Sequence, residues 1–268
     1  MILALAVMAA SGCAQPGMVD RPAGTQVLAE FRAATSVSAS TDGEILVADA
    51  GRLFLVGPAG PIPAQTPSPG VAAVDAGLAL SRYVAHPDGG IVDRLGHDGN
   101  LILRFAVPAG ANAFRDNASV RSDGTATESG RPVDVVVLSD GSVVALEASR
   151  PALLIWDRAG RADRVLTTFR GIRMEPKALA RQGDGFAVLD ANSSVYVFDE
   201  FANELDVHSA QGATALGAEL WVAGQQRAWR LTESEGGIAA PEGVVDLEVT
   251  GGALLLLTPR ALIRQSID

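Results

Sequence analysis

Residues 42–57 read DGEILVADAGRLFLVG: an Asp-Gly turn, an apolar strand, a small-residue turn and a second apolar strand. Asp-Gly supplies the positive φ that a two-residue hairpin demands, so the pair predicts a tight turn between a first strand upstream and Ile45-Leu46-Val47. That second strand is apolar at consecutive positions, the pattern of a strand covered on both faces. The phrase recurs at 140–148 (DGSVVALEA) with 153–160 (LLIWDRAG), and at 184–192 (DGFAVLDAN) with 195–199 (VYVFD). Degenerate copies stand at 88–93 (DGGIVD) with 101–105 (LILRF), at 217–223 (GAELWVA) with 228–231 (AWRL), and at 251–257 (GGALLLL) with 261–264 (ALIR). Six copies spaced by 33 to 52 residues predict six four-stranded units packed side by side, an all-β six-bladed β-propeller. The last copy stops after its third strand, so Gln26 to Phe31 is expected to provide the missing outer strand, the N-terminal strand closing the last blade.

The repeated phrase resembles the NHL repeat, and the resemblance runs from about Val37 to Arg264, carried best by the copies beginning at Asp42, Asp140 and Asp184. It implies a six-bladed propeller of a kind commonly found outside the bacterial cytoplasm.

The composition supports a folded chain: 268 residues with 48% apolar content bury a substantial core, while 29 Gly and 14 Pro against 19% charged residues suit tight turns and exclude a coiled coil. A formal net charge of -10 repels phosphate backbones, which argues against nucleic acid as a partner. A single cysteine excludes an intramolecular disulfide framework and a zinc site of two or more thiolates. Its position carries more information than its number. Residues 1–10 (MILALAVMAA) form an apolar run about half the ~20 residues of a membrane-spanning helix, matching the core of a secretory signal. Ala10-Ser11-Gly12-Cys13 resembles the lipobox of bacterial lipoproteins, which implies a signal peptide over 1–12, lipid attachment at Cys13, a tether over 13–25 and a propeller domain over 26–268. The expected location is the periplasmic face of a bacterial membrane, preferentially the outer one, with an envelope protein as partner.

The acids Asp49, Asp93, Glu147 and Asp190 recur at the same place in the phrase, which predicts turn stabilisation rather than chemistry. The innermost strands are expected at 35–40, 71–76, 133–138, 176–181, 213–216 and 244–249, with Asp75, Asp134, Lys177 and Asp246 as their polar members. Asp75, Asp134 and Asp246 are the candidate site residues: converging on one channel mouth, they offer oxygen ligands suited to Ca2+, against the alternative of solvated channel walls. Lys177 is the lone lysine and a candidate neutraliser of a channel carboxylate. No catalytic residue is assigned, since no nucleophile elbow, zinc-binding helix or phosphate loop is present. His86 and His97 sit in turn-like contexts and are expected to be exposed; His208 stands alone. Aromatics total 5% and fall within predicted strands as Trp156, Tyr196, Phe198, Trp221 and Trp229, which argues for core and against stacking platforms. The Pro-rich residues 57–70 and the stretch 109–131 are expected to be irregular connectors. Two functions follow: a lipid-anchored binding or scaffolding module, or a divalent-cation-dependent propeller hydrolase or lactonase.

Overall fold

The computed structural model describes residues 24–77, 80–109, 129–233 and 236–267. Its order is set by six antiparallel four-stranded sheets. Strand β1 (Thr25–Glu30) comes first and is held for last use. Blade one is β2 (Ala34–Ala39), β3 (Ile45–Asp49), β4 (Arg52–Gly57) and β5 (Gly60–Pro63); blade two is β6 (Ala73–Asp75), β7 (Arg82–His86), β8 (Ile91–Leu95) and β9 (Leu101–Ala106). Blade three is β10 (Pro132–Val137), β11 (Val143–Glu147), β12 (Ala152–Trp156) and β13 (Ala162–Leu166), followed by a small hairpin of β14 (Thr168–Phe169) and β15 (Ile172–Arg173). Blade four is β16 (Pro176–Gln182), β17 (Gly185–Asp190), β18 (Ser194–Phe198) and β19 (Glu204–Ser209); blade five is β20 (Ala215–Leu216), β21 (Trp221–Gly224), β22 (Arg227–Arg230) and β23 (Ile238–Ala239). Blade six takes β24 (Asp246–Thr250), β25 (Ala253–Leu257) and β26 (Ala261–Ser266) from the C-terminus and β1 as its outer strand, paired from Thr25 with Gln265 to Glu30 with Ala261. The ring is therefore closed as the repeat count required.

Antiparallel order puts all turns that join first to second and third to fourth strands on one face, called here the hairpin face. Turns from second to third strand, and the links from blade to blade, lie on the opposite or linker face. The chain enters β1 from the hairpin face, where the Ser266 amide donates to the Gly24 carbonyl at 3.4 Å.

Consecutive apolar residues do what two-sided burial demands. In β11, Val143 and Ala145 pack with Phe105 and Trp156 in the seam between blades two and three, while Val144 and Leu146 pack with Phe186 and Phe198 in the next seam. The core is thus divided into six clusters, one in each seam. The β14–β15 hairpin wedges Phe169 into the third-to-fourth seam, stacked on Tyr196 at 4.2 Å between centroids. Trp156, Tyr196, Phe198 and Trp221 are buried as expected, and Trp229 is half-buried beneath Arg227.

Two sequence expectations need correction. Asp88-Gly89 joins β7 to β8, the second turn of its blade rather than the first, so Asp93 lies inside the third strand and β9 is the outer strand. An Asp-Gly pair fits any tight hairpin, and nothing local says which. The Pro-rich residues 57–70 also contain more order than a connector: Gly60–Pro63 is the outer strand of blade one, an edge where the missing proline N–H groups are tolerated. Residues 110–128 of the second connector, and residues 1–23 with the signal peptide, Cys13 and all but the end of the tether, lie outside the described residues.

Candidate functional site in the central channel

An innermost strand bonds to its own blade on one edge and leaves the other toward the channel and the next blade. Amides on that edge need acceptors, because a buried unpaired N–H costs about 1–3 kcal/mol. Side chains of the preceding blade provide them. Asp246 accepts from the Val37 amide at 2.8 Å, joining blade six to blade one. Ser36 and Ser38 accept from Val74 (3.2 Å) and Ala76 (3.0 Å), joining one to two. Asp75 accepts from Val137 at 3.0 Å, joining two to three, and Asp134 from Leu179 at 2.7 Å, joining three to four. The Thr214 hydroxyl donates to the Val244 carbonyl at 2.8 Å between blades five and six.

These latches bring Asp75, Asp134 and Asp246 to one small cavity, as their place on the innermost strands suggested, together with Glu248 and Arg181. Lys177 is exposed and outside this lining; Arg181, four residues later on the same strand, supplies the channel's positive charge. Glu248 and Arg181 were not singled out from the sequence. The signal was the period of two: Asp246-x-Glu248 puts both acids on one face of a strand, and Ser36-x-Ser38 does the same for the hydroxyls.

The carboxylates are expensive to ionise there. Desolvation is the first cause in each case, raising Asp75 to about 6, Asp134 and Glu248 to about 7, and Asp246 well above the usual carboxylate range. Mutual repulsion adds to it, Asp75 acting on Asp134 and Glu248, and Asp134 on Asp246. Backbone N–H donors and Arg181 act in the other direction on Asp75 and Glu248. Asp134, Asp246 and Glu248 retain partial contact with the channel interior while protein surrounds them, so the enclosed environment governs their titration. The cavity's free volume is about 30 Å3. A cavity needs roughly 10–15 Å3 measured this way to hold one water, so this part of the channel has room for water. Among the described residues no three His, Cys, Asp or Glu side chains converge as a ligand set for a metal ion.

Of the recurrent strand-end acids, Glu147 binds the turn that follows it as expected, while Asp49 and Asp190 accept from the links that lead into their blades. Asp49 accepts from the Arg32 and Ala33 amides, Glu147 from Arg131, Ser149 and Arg150, and Asp190 from Glu175. In blade two the equivalent position is His86, which corrects the exposed-turn expectation: it is fully buried at the end of β7, with Nδ1 3.0 Å from the Pro69 carbonyl and Nε2 3.6 Å from Asp93. Burial lowers its pKa, so a neutral ring donates from Nδ1 to Pro69. Asp93 instead takes a two-pronged contact from Arg104 (2.7 and 2.9 Å) and a hydrogen bond from Ser68. Ser68 is thereby bonded to the acid rather than the imidazole, and the group clamps the Pro-rich segment onto blade two without an activated nucleophile. His97 is exposed in its turn, and His208 is half-buried beside Asp206. A second recess, of about 370 Å3, opens on the hairpin face between blades six and one, lined by Leu28, Ile45, Val56, Pro58, Leu255 and Arg264.

No protein-family model and no curated protein sequence matches the chain. Solved structures do match its shape. Virginiamycin B lyase from Staphylococcus aureus is similar with a TM-score of 0.61 at 12% identity, over 91% of this chain and 99% of that one. A protein assigned as a gluconolactonase gives 0.67 at 13%, over 91% and 93%, and the WD40 β-propeller domain of Doa1 gives 0.60 at 10%, over 91% and 97%. At these identities the likeness concerns the propeller fold, which hosts many unrelated functions.

Proposed function

We propose that the chain is a lipid-anchored, extracytoplasmic, NHL-like propeller of bacterial lipoprotein type that acts as a protein-binding or scaffolding module. The observation that carries the non-enzymatic part is the channel: its acids are bonded to the backbone of neighbouring blades and its free volume is about 30 Å3. The rival, a divalent-cation-dependent hydrolase or lactonase, asks for acids free to turn onto an ion and room for a substrate beside it. The lyase and gluconolactonase structures support the fold of that rival but bring no residues with them at 12–13% identity. The anchoring part rests on the order of apolar run, small residues and Cys13, and on the entry of the chain into β1 at the molecular surface.

The test is the mass of the mature protein extracted from bacterial membranes, with crosslinking in the same cells. A diacylglyceryl group on Cys13 as first residue and a reproducible crosslinked partner are expected. An unmodified Met1 sinks the anchor. Lactone hydrolysis by the purified chain that requires Ca2+ and disappears in Asp134→Asn sinks the scaffold.

A further inference from the structure

Charge is not spread evenly over the two faces. On the hairpin face, Asp42, Asp98, Asp140, Asp157, Asp184 and Asp199 occupy the turns of four blades. Most of them are engaged in those turns: Asp98 accepts from Asn100, Asp140 from Ser142, Asp157 from Ala159 and Arg161, and Asp199 from Phe201 and Asn203. The linker face carries exposed acids at Glu30, Asp88, Glu175 and Glu242, and it gathers arginine at one place. Arg32 lies in the link from β1 to β2, Arg52 begins β4, and Arg260 lies in the turn before β26; all three are exposed.

Main-chain bonds draw these three together at the seam where the ring closes. The Phe31 amide donates to the Arg260 carbonyl at 2.8 Å, and the Ala34 amide to the Pro259 carbonyl at 3.1 Å. The Arg32 amide donates to Asp49, whose register partner across the β3–β4 turn is Arg52. Among the described residues none of the three guanidinium groups meets a carboxylate; Arg52 lies over the Phe54 ring at 5.5 Å. Glu30, paired in register with Ala261, is an exposed acid of this seam, leaving it net positive on a chain of net charge -10.

Exposed arginines that meet no carboxylate among the described residues suit bidentate capture of one from a partner. The described chain enters β1 at Gly24 on the opposite face, so a lipid at Cys13 would lead away from that face. We propose that the linker face is the docking surface of the module and that its partner presents an acidic protein segment, seated on Arg32, Arg52 and Arg260. This rests on the scaffold reading above and names its binding face and partner chemistry.

The experiment uses the full chain in phosphatidylcholine nanodiscs and the fluorescence anisotropy of a labelled Glu-rich peptide, with a Lys-rich peptide as its counterpart. The Glu-rich peptide is expected to bind, more weakly as salt is raised, and the Lys-rich one not. R32E/R52E/R260E is expected to weaken binding by about tenfold or more, and R32Q/R52Q/R260Q by less. R158E/R161E/R264E, of equal net charge but placed on the hairpin side of the molecule, is expected to leave it within about twofold. Unchanged binding in the first variant, equal loss in the last, or preference for the Lys-rich peptide overturns the proposal. So does binding of phosphatidylglycerol vesicles that the first variant abolishes while the acidic peptide fails to bind, which makes the seam a lipid contact. Photocrosslinkers placed in cells at positions 52 and 158 separate the two readings. Adducts from 158 alone overturn the face and leave the module standing; none from either overturns both.

Discussion

A carboxylate whose only role is to accept an N–H from the next blade is better replaced by an amide than by nothing. Asp75→Ala leaves the buried Val137 amide unpaired and is expected to lower stability by about 1–3 kcal/mol. Asp75→Asn keeps an acceptor oxygen, and at pH 8 it is expected to match or exceed the parent in urea unfolding. The direction with pH follows from the raised values. Between pH ~4 and ~7 the folded chain holds more protons on these acids than the unfolded one, so stability is greatest below the unfolded pKa and declines as pH rises through the folded values. For Asp75, from 3.8 to about 6, this is worth about 3 kcal/mol at 1.36 kcal/mol per unit. Melting temperatures are expected to be lower at pH 8 than at pH 5, with the difference reduced in Asp75→Asn/Asp134→Asn/Glu248→Gln; a profile rising toward pH 8 contradicts the assignment. Asp134 and Asp246 were legible as channel residues because an innermost strand can be located from the turn that follows it, whereas Asp75 was placed there although the Asp88-Gly89 turn belongs to the next hairpin of its blade. Their task was not, since an acid that binds metal and one that caps a neighbouring strand look alike in a sequence. His86 was misread because Pro87-Asp88-Gly89 announces a turn without saying that the residue before it is already enclosed.

Strands carry the second level of argument. The turn chemistry made most of them readable: the closing role of β1, the doubly buried second strands, and the inner strands at nearly their true bounds. The β14–β15 hairpin was not legible, because its only long apolar side chains are Phe169 and Ile172 and its two-residue strands lack a pattern. It nonetheless fills a seam, and Phe169→Ala is expected to lower stability by about 3–5 kcal/mol in chemical unfolding. Gly185 opens β17 where a Cβ would press into the Phe198 carbonyl oxygen and the Asp199 backbone. Backbone cannot step aside as a flexible side chain does, so Gly185→Ala is expected to destabilise by about 1–3 kcal/mol. Deleting residues 25–30 exposes the edge of β26 along its length, and the product is expected to aggregate or lose its melting transition, as read by light scattering and circular dichroism. A monomeric deletion variant with an unchanged transition would show that closure is dispensable.

For the whole molecule, six separate clusters do not mean six independent units. Each is built from two blades, so no blade keeps either face covered once a neighbour leaves. Calorimetry is therefore expected to show one transition with calorimetric and van't Hoff enthalpies in agreement; a resolved shoulder would identify a blade that detaches alone. The same connectivity has a mechanical side. A chain held by residues before Gly24 transmits any drag into β1 from its Thr25 end, next to Gln265 where β26 finishes. Load applied at that end falls first on the Thr25–Gln265 pair of the ladder. The strand that completes the ring is thus also the one through which a pull on the molecule would begin to open it.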